Sequence, residues 1–475
     1  MHWFIEYSNF IQRYNMLLFI IIIGVPLCYF IYEYVKKFRR YRVKTFDREM
    51  KDLHREEKAR KPLETTKPDK STHIGSTSFR KQIYVADNAR HVFVAGTTGS
   101  GKTVALANFI ENSFMKNYPC VIIDGKGDTG EGSILEIVNI FAEKHKRNVH
   151  VISLTSPSSS NKYNPFRGAN PTICKDMLIN LTIWSEEHYK LNTERFIQRL
   201  AKLLELANID LSFNGILPYL SIEKYNELSA MLLKSGVITK TEHAENINIS
   251  KTSGKIAEDA VARFAGIAES EIGSIFSDDG VDVYTAISRG DIIVFILNPL
   301  IYPEVSPLFG RLILIDCKKA VSNLFNTGNN RIFFIFDEIN SYVSSVLVDL
   351  LNKSRSANVT CVVATQSLAD LEIASGDAFK QQIIENCNNY IVLRQNTPQS
   401  SEEWAKVIGT KRTVSMTYKI EEQHINSTGT GKGSLRPVRE FIFHPDDIKQ
   451  LKQGTAFFVS KDTGEYSKIT VRKPF

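Results

Sequence analysis

Residues 91–103 read His-Val-Phe-Val-Ala-Gly-Thr-Thr-Gly-Ser-Gly-Lys-Thr, and this stretch decides the fold. From Gly96 to Thr103 it matches the G-x-x-x-x-G-K-[ST] pattern of a phosphate-binding loop. Glycines let successive backbone N–H groups turn inward around a polyphosphate, and the following helix directs the positive end of its dipole to the same place. The stretch therefore predicts a nucleotide site between a strand and a helix.

The sequence on both sides of the loop has the periodicity that this motif requires. Val92 to Ala95 is an apolar run typical of a buried strand, and the segment from Thr103 to Ile110 has an apolar helical face. A glycine-rich turn without a ligand is the alternative, and the flanking periodicity argues against it. The predicted nucleotide-binding residues are Gly96, Thr97, Thr98, Gly99, Ser100, Gly101, Lys102, Thr103 and Val104.

Composition describes an ordinary globular protein whose positive charge is concentrated in one segment. The net charge is +7 over 475 residues, and residues 36–70 hold fourteen Lys/Arg and seven Asp/Glu, so the rest of the chain sums to zero. Any DNA contact must therefore come from a local groove or pore. The six cysteines form no C-x-x-C pair, which favours buried free thiols over a disulfide framework or a metal site.

The N-terminal region contains an apolar run without a charged residue, from Met16 to Tyr32. Six Lys/Arg follow this run within residues 36–44, an asymmetry that predicts a single transmembrane helix over about residues 16–35. It places the N-terminus outside the cell membrane and the body in the cytoplasm. A signal peptide would carry its basic residues on the other side, and a buried core helix is the remaining alternative.

The rest of the chain alternates between strand and helix patterns, which predicts an α/β fold with a mostly parallel sheet and the loop at its carboxyl edge. We predict a basic juxtamembrane segment and linker over residues 36–75, with a mixed-charge helix or solvated face over 47–60. A nucleotide-binding domain follows over 76–170 and 280–475, interrupted by an all-α insert over 171–279. Residues 412–438 are predicted to form an exposed loop, ahead of a closing hairpin over residues 455–471.

A second motif begins at Ile332 and ends in two acids, Asp337 and Glu338. An apolar strand that ends in acids is the pattern of a Walker B motif. Asp337 is predicted to hold Mg²⁺ together with the hydroxyl of Thr103, while Lys102 supplies charge to the β/γ-phosphates. Glu338 is predicted to polarise the attacking water.

Two further residues are candidates for the same chemistry. Gln366 follows the next strand and is predicted to lie beside the γ-phosphate; a helix-capping turn is the alternative. Arg355 precedes that strand, where it is either an arginine finger for a neighbouring subunit or a solvated surface residue. Spacing alone does not decide between these alternatives.

The combined motifs resemble the type IV coupling proteins of bacterial conjugation, which belong to the FtsK/HerA group of hexameric DNA pumps. The resemblance covers about residues 80–460. Its elements, in chain order, are the membrane anchor, Gly96–Thr103, Asp124-Gly-Lys-Gly-Asp128, Tyr163-Asn-Pro165, the helical insert, Phe336-Asp-Glu338, Ser354–Asn358 and Ala364-Thr-Gln-Ser367. Gly125 stands where that family usually has proline.

This resemblance implies a RecA-like P-loop ATPase that uses ATP and Mg²⁺. It implies a homo-hexamer that moves DNA, with its relaxase, toward a conjugative type IV secretion channel, in contact with channel components and the membrane. Gln366 would sense the γ-phosphate, Arg355 would reach the adjacent subunit, and the insert would meet DNA or relaxase. The alternatives are a double-strand DNA translocase and a nucleotide-gated scaffold that recruits a relaxase without pumping.

Overall fold

The structure is a computed structural model. It describes residues 2–19, 23–40, 51, 68–87, 90–180, 184, 186–325, 331–423 and 426–475. Contacts divide the chain into two compact units, of which one comprises residues 1–61 and 409–442 and the other residues 62–408 and 443–475. Both sequence motifs belong to the second unit.

The described helices and strands follow the alternation that the sequence predicts. The helices are α1 (His2–Phe19), α2 (Val25–Arg40), α3 (Lys102–Met115), α4 (Ile134–His145), α5 (Pro171–Asn180), α6 (Glu187–Leu206), α7 (Phe213–Ile216), α8 (Ile222–Lys234), α9 (Lys240–Ile249), α10 (Lys255–Glu269), α11 (Val283–Arg289), α12 (Val305–Leu324), α13 (Ser345–Ser354), α14 (Leu368–Asn386), α15 (Pro398–Ile408) and α16 (Pro445–Lys449). The strands are β1 (Ser71–Ser76), β2 (Gln82–Ala86), β3 (His91–Ala95), β4 (Cys120–Asp124), β5 (Val149–Ser153), β6 (Ile292–Ile296), β7 (Ile332–Asp337), β8 (Val359–Thr365), β9 (Cys387–Val392), β10 (Thr410–Gln423), β11 (Asn426–Phe441), β12 (Thr455–Ser460) and β13 (Tyr466–Val471).

Eleven of these strands form one sheet in the second unit, in the order β2-β1-β13-β12-β9-β3-β8-β7-β4-β6-β5. The seven strands from β9 to β5 are parallel to one another. The other four extend the sheet with antiparallel pairs. This architecture confirms two parts of the predicted fold class, the α/β composition and the large, mostly parallel sheet.

The central strands are apolar along their whole length because both faces of the sheet are covered. Every residue of β3, β4, β6, β7 and β8 is buried. Strand β8 lies between β3, which leads into the phosphate-binding loop, and β7, which ends in the two acids. The carboxyl ends of these three strands and of β4 therefore lie side by side, at the edge where ligands bind in open α/β sheets.

Strand β1 was not predicted, because Ser71–Ser76 lies in a segment that composition assigns to a polar linker. The strand pairs with β2 and β13, and its Ile74 is buried in the core. A Cβ atom on Gly75 would lie 2.3 Å from the carbonyl oxygen of Thr470, so this position admits the close strand pairing only as glycine. The hydroxyl of Thr72 donates to Asp87 at 2.9 Å, which satisfies one of the buried polar groups.

Between β5 and β6 the described residues form helices α5 to α11 and no extended strand. Their buried residues follow the helical spacing seen in the sequence, for example Phe196, Leu200 and Leu204 in α6. Helix α8 begins after Ser221, whose side chain accepts a hydrogen bond from the backbone N–H of Lys224. The domain boundaries drawn from the sequence remain predictions, and the mixed-charge helix over residues 47–60 lies, except for residue 51, outside the described residues.

The predicted transmembrane helix is wrong: among the described residues no helix is long and apolar enough to cross a membrane. The apolar run falls partly in α1 and partly in α2, and residues 20–22 lie outside the described part. Helix α1 contains Glu6 and Arg13, and α2 ends in a basic cluster, so charged residues shorten the apolar stretch of each. The predicted location, a single-pass protein of the cell membrane with an outside N-terminus, is thus contradicted.

The predicted loop over residues 412–438 is also wrong, because this segment forms most of the antiparallel ribbon of β10 and β11. The pairing runs from Thr410 opposite Phe441 to Gln423 opposite Asn426. Glycine, serine and threonine suggest a loop, but β-branched residues such as Val414, Thr417, Thr428 and Thr430 favour extended backbone. The ribbon belongs to the first unit.

Candidate nucleotide site

The phosphate-binding loop connects β3 to α3 and has the backbone conformation that its glycines permit. Gly99 and Gly101 have φ angles of 73° and 109°, in a region that side chains disfavour. Gly101 is the N-cap of α3, whose first residue is Lys102. The loop thus presents the unpaired N–H groups of a helix start to any anion bound there.

Contacts from three other segments hold the loop in place. The backbone N–H of Gly96 donates to Thr365 at 3.3 Å, and that of Thr97 donates to Arg394 at 3.1 Å. On the outer side, the N–H of Gly454 donates to the carbonyl oxygen of Ser100 at 2.9 Å. The loop is therefore fixed by β8, by the segment after β9 and by the segment before β12.

The side chain of Lys102 lies against the two acids at the end of β7. Its ammonium nitrogen is 2.5 Å from Glu338 Oε2 and 3.4 Å from Asp337 Oδ1. All three side chains are at least 94% buried. Glu338 has a left-handed backbone (φ 51°), which is uncommon for a residue with a side chain and turns the chain sharply after β7.

A second lysine approaches the same two acids from the turn after β4. Lys126 Nζ lies 3.6 Å from Asp337 Oδ2 and 3.9 Å from Glu338 Oε2. Burial alone would lower the pKa of Lys126, but the neighbouring carboxylates raise it above its ordinary value. Two cations and two buried anions therefore meet at the carboxyl edge of β4 and β7.

Asp124 ends β4 directly opposite Asp337 in the parallel pairing. Burial, and then the charge of Asp337, raise the pKa of Asp124 to about 7. Its Oδ1 also accepts the backbone N–H of Lys126 at 2.9 Å, so this carboxyl group shapes the turn that carries the second lysine.

Gln366 follows β8 and contacts the phosphate-binding loop. The hydroxyl of Thr98 donates to Gln366 Oε1 at 3.3 Å. The capping function that the sequence left as an alternative belongs to the next residue, Ser367, whose side chain accepts the N–H of Asp370 at the start of α14. A cleft of about 790 Å³ opens beside this contact and is lined by Thr97, Gln366 and residues at the starts of α14 and α15.

Arg355 is brought to a different place from the other candidates. It is exposed and precedes β8, at the amino edge of the parallel strands. The pKa of His91, the first residue of β3, falls to about 4 mainly through burial, and the positive charge of Arg355 also lowers it. Since β8 spans seven residues, Arg355 lies roughly 20 Å from the loop of its own chain.

The remaining predicted residues differ in their contacts. Thr103 is half-buried in the first turn of α3, and Val104 packs against the hydrophobic core. The hydroxyl of Thr103 and the carboxylate of Asp337 are hard oxygen donors that suit Mg²⁺. No group of three His, Cys, Asp or Glu side chains in the described residues could hold a metal ion. Mg²⁺ is commonly bound by one or two protein groups together with nucleotide phosphates.

Sequence reasoning left the roles of Asp124 and Lys126 open and missed Gly454 entirely. The turn Asp124-Gly-Lys-Gly-Asp128 follows a buried strand, so its position at the carboxyl edge could be inferred from the sequence. The order of the strands could not, and only that order puts β4 beside β7.

Two family models match the chain. Residues 72–266 match the model described as "Helicase HerA, central domain", and residues 331–453 match the model described as "TraM recognition site of TraD and TraG". The chain is also 34% identical over 132 residues to an uncharacterized protein of Mycoplasma pneumoniae, and this match covers 83% of that protein and 28% of the chain. The chain belongs to the same family as that protein.

Solved structures with the same fold include conjugation proteins. The unbound conjugative coupling protein TrwB is 16% identical, with a TM-score of 0.60 over 86% of this chain and 90% of that one. TrwB in complex with ADP and Mg²⁺ is 17% identical, with a TM-score of 0.59 over 87% and 94%. VirB4 of Thermoanaerobacter pseudethanolicus is 13% identical, with a TM-score of 0.52 over 86% and 98%. Together with the family models, these matches confirm the resemblance predicted from the motifs.

Proposed function

Since the chain is a type IV coupling protein-like P-loop ATPase, we propose that it hydrolyses ATP with Mg²⁺ and couples this reaction to the transfer of DNA through a conjugative type IV secretion channel. The observation that carries the proposal is the meeting of Lys102, Glu338 and Gln366 at one edge of the sheet. Each comes from a different strand–loop junction. This arrangement provides phosphate binding, water activation and a γ-phosphate contact in one place.

Each residue of the site has a role that follows from its position. The loop and Lys102 bind the phosphates, and Glu338 accepts hydrogen bonds from the attacking water. Thr103 and Asp337 would hold Mg²⁺, which neutralises charge on the phosphates when bound. Gln366 is hydrogen-bonded to the loop through Thr98, so a γ-phosphate in the loop lies within reach of its amide.

Arg355 supports the proposal that the active form is a ring, in particular a homo-hexamer. Its own site lies across the length of β8, so a nucleotide on which its charge acts would have to be held by another chain. A head-to-tail contact that joins the amino edge of one sheet to the carboxyl edge of the next would bring it there. An arginine supplied in trans stabilises charge that develops on the γ-phosphate.

The proposed partners are DNA, a relaxase and components of the secretion channel. The description of one matching family model names a recognition site for TraM in TraD and TraG, and that match includes the Walker B strand. We therefore propose that a DNA-processing protein docks on residues 331–453. The helical region over residues 171–279 is the second candidate surface for DNA or relaxase.

The test is ATP turnover by the full chain with no DNA, with single-stranded DNA and with double-stranded DNA. We expect turnover that depends on Mg²⁺ and rises with DNA, and none in the Lys102→Ala variant. Turnover that no DNA form stimulates would instead favour a nucleotide-gated scaffold. Stimulation by double-stranded DNA alone would favour a double-strand translocase, for which the match to the HerA central domain is the supporting observation.

A further inference from the structure

We propose that Lys126 is a positioning residue that replaces Lys102 as the counter-ion of Glu338 when a nucleotide binds. This inference rests on the proposed function, because it concerns how the same site changes from its free form to its nucleotide-bound form. Lys126 does not itself bind phosphate in this proposal; it acts on the nucleotide through Glu338.

The free site presents a conflict that binding must resolve. Lys102 is paired with Glu338 at 2.5 Å, but phosphate binding needs the same ammonium group. When Lys102 turns to the phosphates, Mg²⁺ would supply a cation to Asp337, but Glu338 would lose its closest cation while it remains buried. An uncompensated buried carboxylate is costly, so the pair would hold Lys102 back unless another cation is at hand.

Lys126 is the cation placed to take over this role. Its ammonium nitrogen is already within 4 Å of both acids, on the Oδ2 side of Asp337 that Lys102 does not occupy. Its side chain is 35% exposed, so it can shift toward Glu338 without breaking a packed core. Among the described residues, Lys102 and Lys126 are the two cations with ion pairs to these acids.

The turn that carries Lys126 is built to approach the acids closely. A Cβ atom on Gly125 would lie 2.9 Å from both the Asp337 carbonyl oxygen and the Glu338 Cβ atom. Gly127 has a φ angle of 74°, and its Cβ atom would lie 2.1 Å from the carbonyl oxygen of Leu297. Both glycines therefore let the turn lie flat against the ends of β7 and β6, with Lys126 between them.

The test measures nucleotide affinity rather than turnover, using a fluorescent ATP analogue with Mg²⁺ and the full chain. Lys126→Met should weaken binding about tenfold, because Lys102 then stays with Glu338. The double variant Lys126→Met/Glu338→Gln should bind with nearly wild-type affinity, because the neutral amide no longer retains Lys102. Lys126→Arg should keep most of the affinity, since it preserves the charge.

The matched control is Lys318→Met. Lys318 is 43% exposed and pairs with Asp349 at 2.7 Å, on helices α12 and α13, so its loss should leave affinity unchanged. Thermal unfolding of each variant checks that the fold is retained.

Several results would overturn the proposal. Wild-type affinity in Lys126→Met would show that the acids need no replacement cation. A loss that Glu338→Gln does not restore would show that Lys126 contacts the phosphates itself or only shapes the turn. If the wild-type chain binds no nucleotide, the proposed function fails together with this inference, whereas the other two results leave the proposed function standing.

Discussion

The ammonium group of Lys102 and the carboxylate of Glu338 form a buried ion pair at 2.5 Å that joins the phosphate-binding loop to the end of β7. The lysine proposed to bind phosphate and the acid proposed to activate water thus neutralise each other in the free protein. For hydrolysis under this proposal, a bound nucleotide must separate Lys102 from Glu338, so the strength of this ion pair should influence nucleotide affinity.

Lys102→Ala should abolish nucleotide binding, because it removes the cation that pairs with the β/γ-phosphates. It should also lower the free energy of unfolding, since two buried acids lose their closest partner. We expect somewhat less than the ~3–5 kcal/mol typical of a broken buried pair, because Lys126 remains nearby. Binding of a fluorescent nucleotide and urea denaturation measure the two effects. Wild-type nucleotide affinity in this variant would contradict the site assignment.

Glu338→Gln should retain ATP and lose hydrolysis, because the amide cannot accept a proton from the attacking water. The ion pair adds a second expectation, that ATP binds at least as tightly as in the wild type, since Lys102 is released. Turnover and nucleotide affinity are measured on the same preparation. Turnover within a few-fold of the wild type would assign water activation to another residue.

Arg355→Ala should bind ATP normally and fail to hydrolyse it, because its own site lies across the sheet. The loss should be within the ~10³–10⁵-fold range of arginines supplied in trans. Mixing Arg355→Ala with Lys102→Ala chains should restore some turnover, at junctions where an intact loop faces an intact arginine.

Lys353→Ala, two residues earlier at the end of α13 and 62% exposed, is the control for loss of a nearby surface charge. Mixed rings that form and remain inactive, or normal turnover by Arg355→Ala alone, would show that Arg355 is a solvated surface residue.

Asp124→Asn should change how stability depends on pH. The folded pKa of Asp124 is raised from 3.8 to about 7, so between these values the folded chain holds a proton that the unfolded chain has lost. The group therefore stabilises the fold fully below pH 4, and this contribution is lost as the pH rises toward 7.

Asparagine still accepts the N–H of Lys126 and carries no charge. The variant should gain stability relative to the wild type between pH 4 and pH 8, by roughly 2–4 kcal/mol. Urea denaturation of the wild type and the variant at pH 4 and pH 8 measures the difference in their free energies of unfolding. An equal stability difference at both would show that Asp124 is ionised throughout.

The sequence was sufficient for the parts of the site that lie within one motif. The loop, the acids after β7 and Gln366 each follow a strand, and parallel strands bring such residues to one edge. Lys126 could not be assigned because its partners depend on β4 lying beside β7. Gly454 is separated from Ser100 by most of the chain, and no local pattern reports such a contact.

The wrong predictions rest on local composition. Pairing with distant strands overrides the preference that this composition indicates. Ser71–Ser76 is polar yet forms a strand between two others, because the pairing satisfies its backbone groups. For the same reason, the composition of β10 and β11 predicts a loop, whereas the two segments pair as an antiparallel ribbon. The apolar run near the N-terminus predicts one continuous helix from residue 16, but its first residues belong to a helix that begins at His2 and includes Glu6 and Arg13.

The hydrogen bond from the N–H of Gly454 to the carbonyl oxygen of Ser100 can form only late in the synthesis of the chain. A ribosome releases the phosphate-binding loop early, but the segment that braces it emerges some 350 residues later. The pairing of β1 with β13 forms later still, since β13 follows Gly454. A nascent chain thus passes through a long stage in which the loop exists without its brace, so the site can mature only after the far end of the sheet has been synthesised.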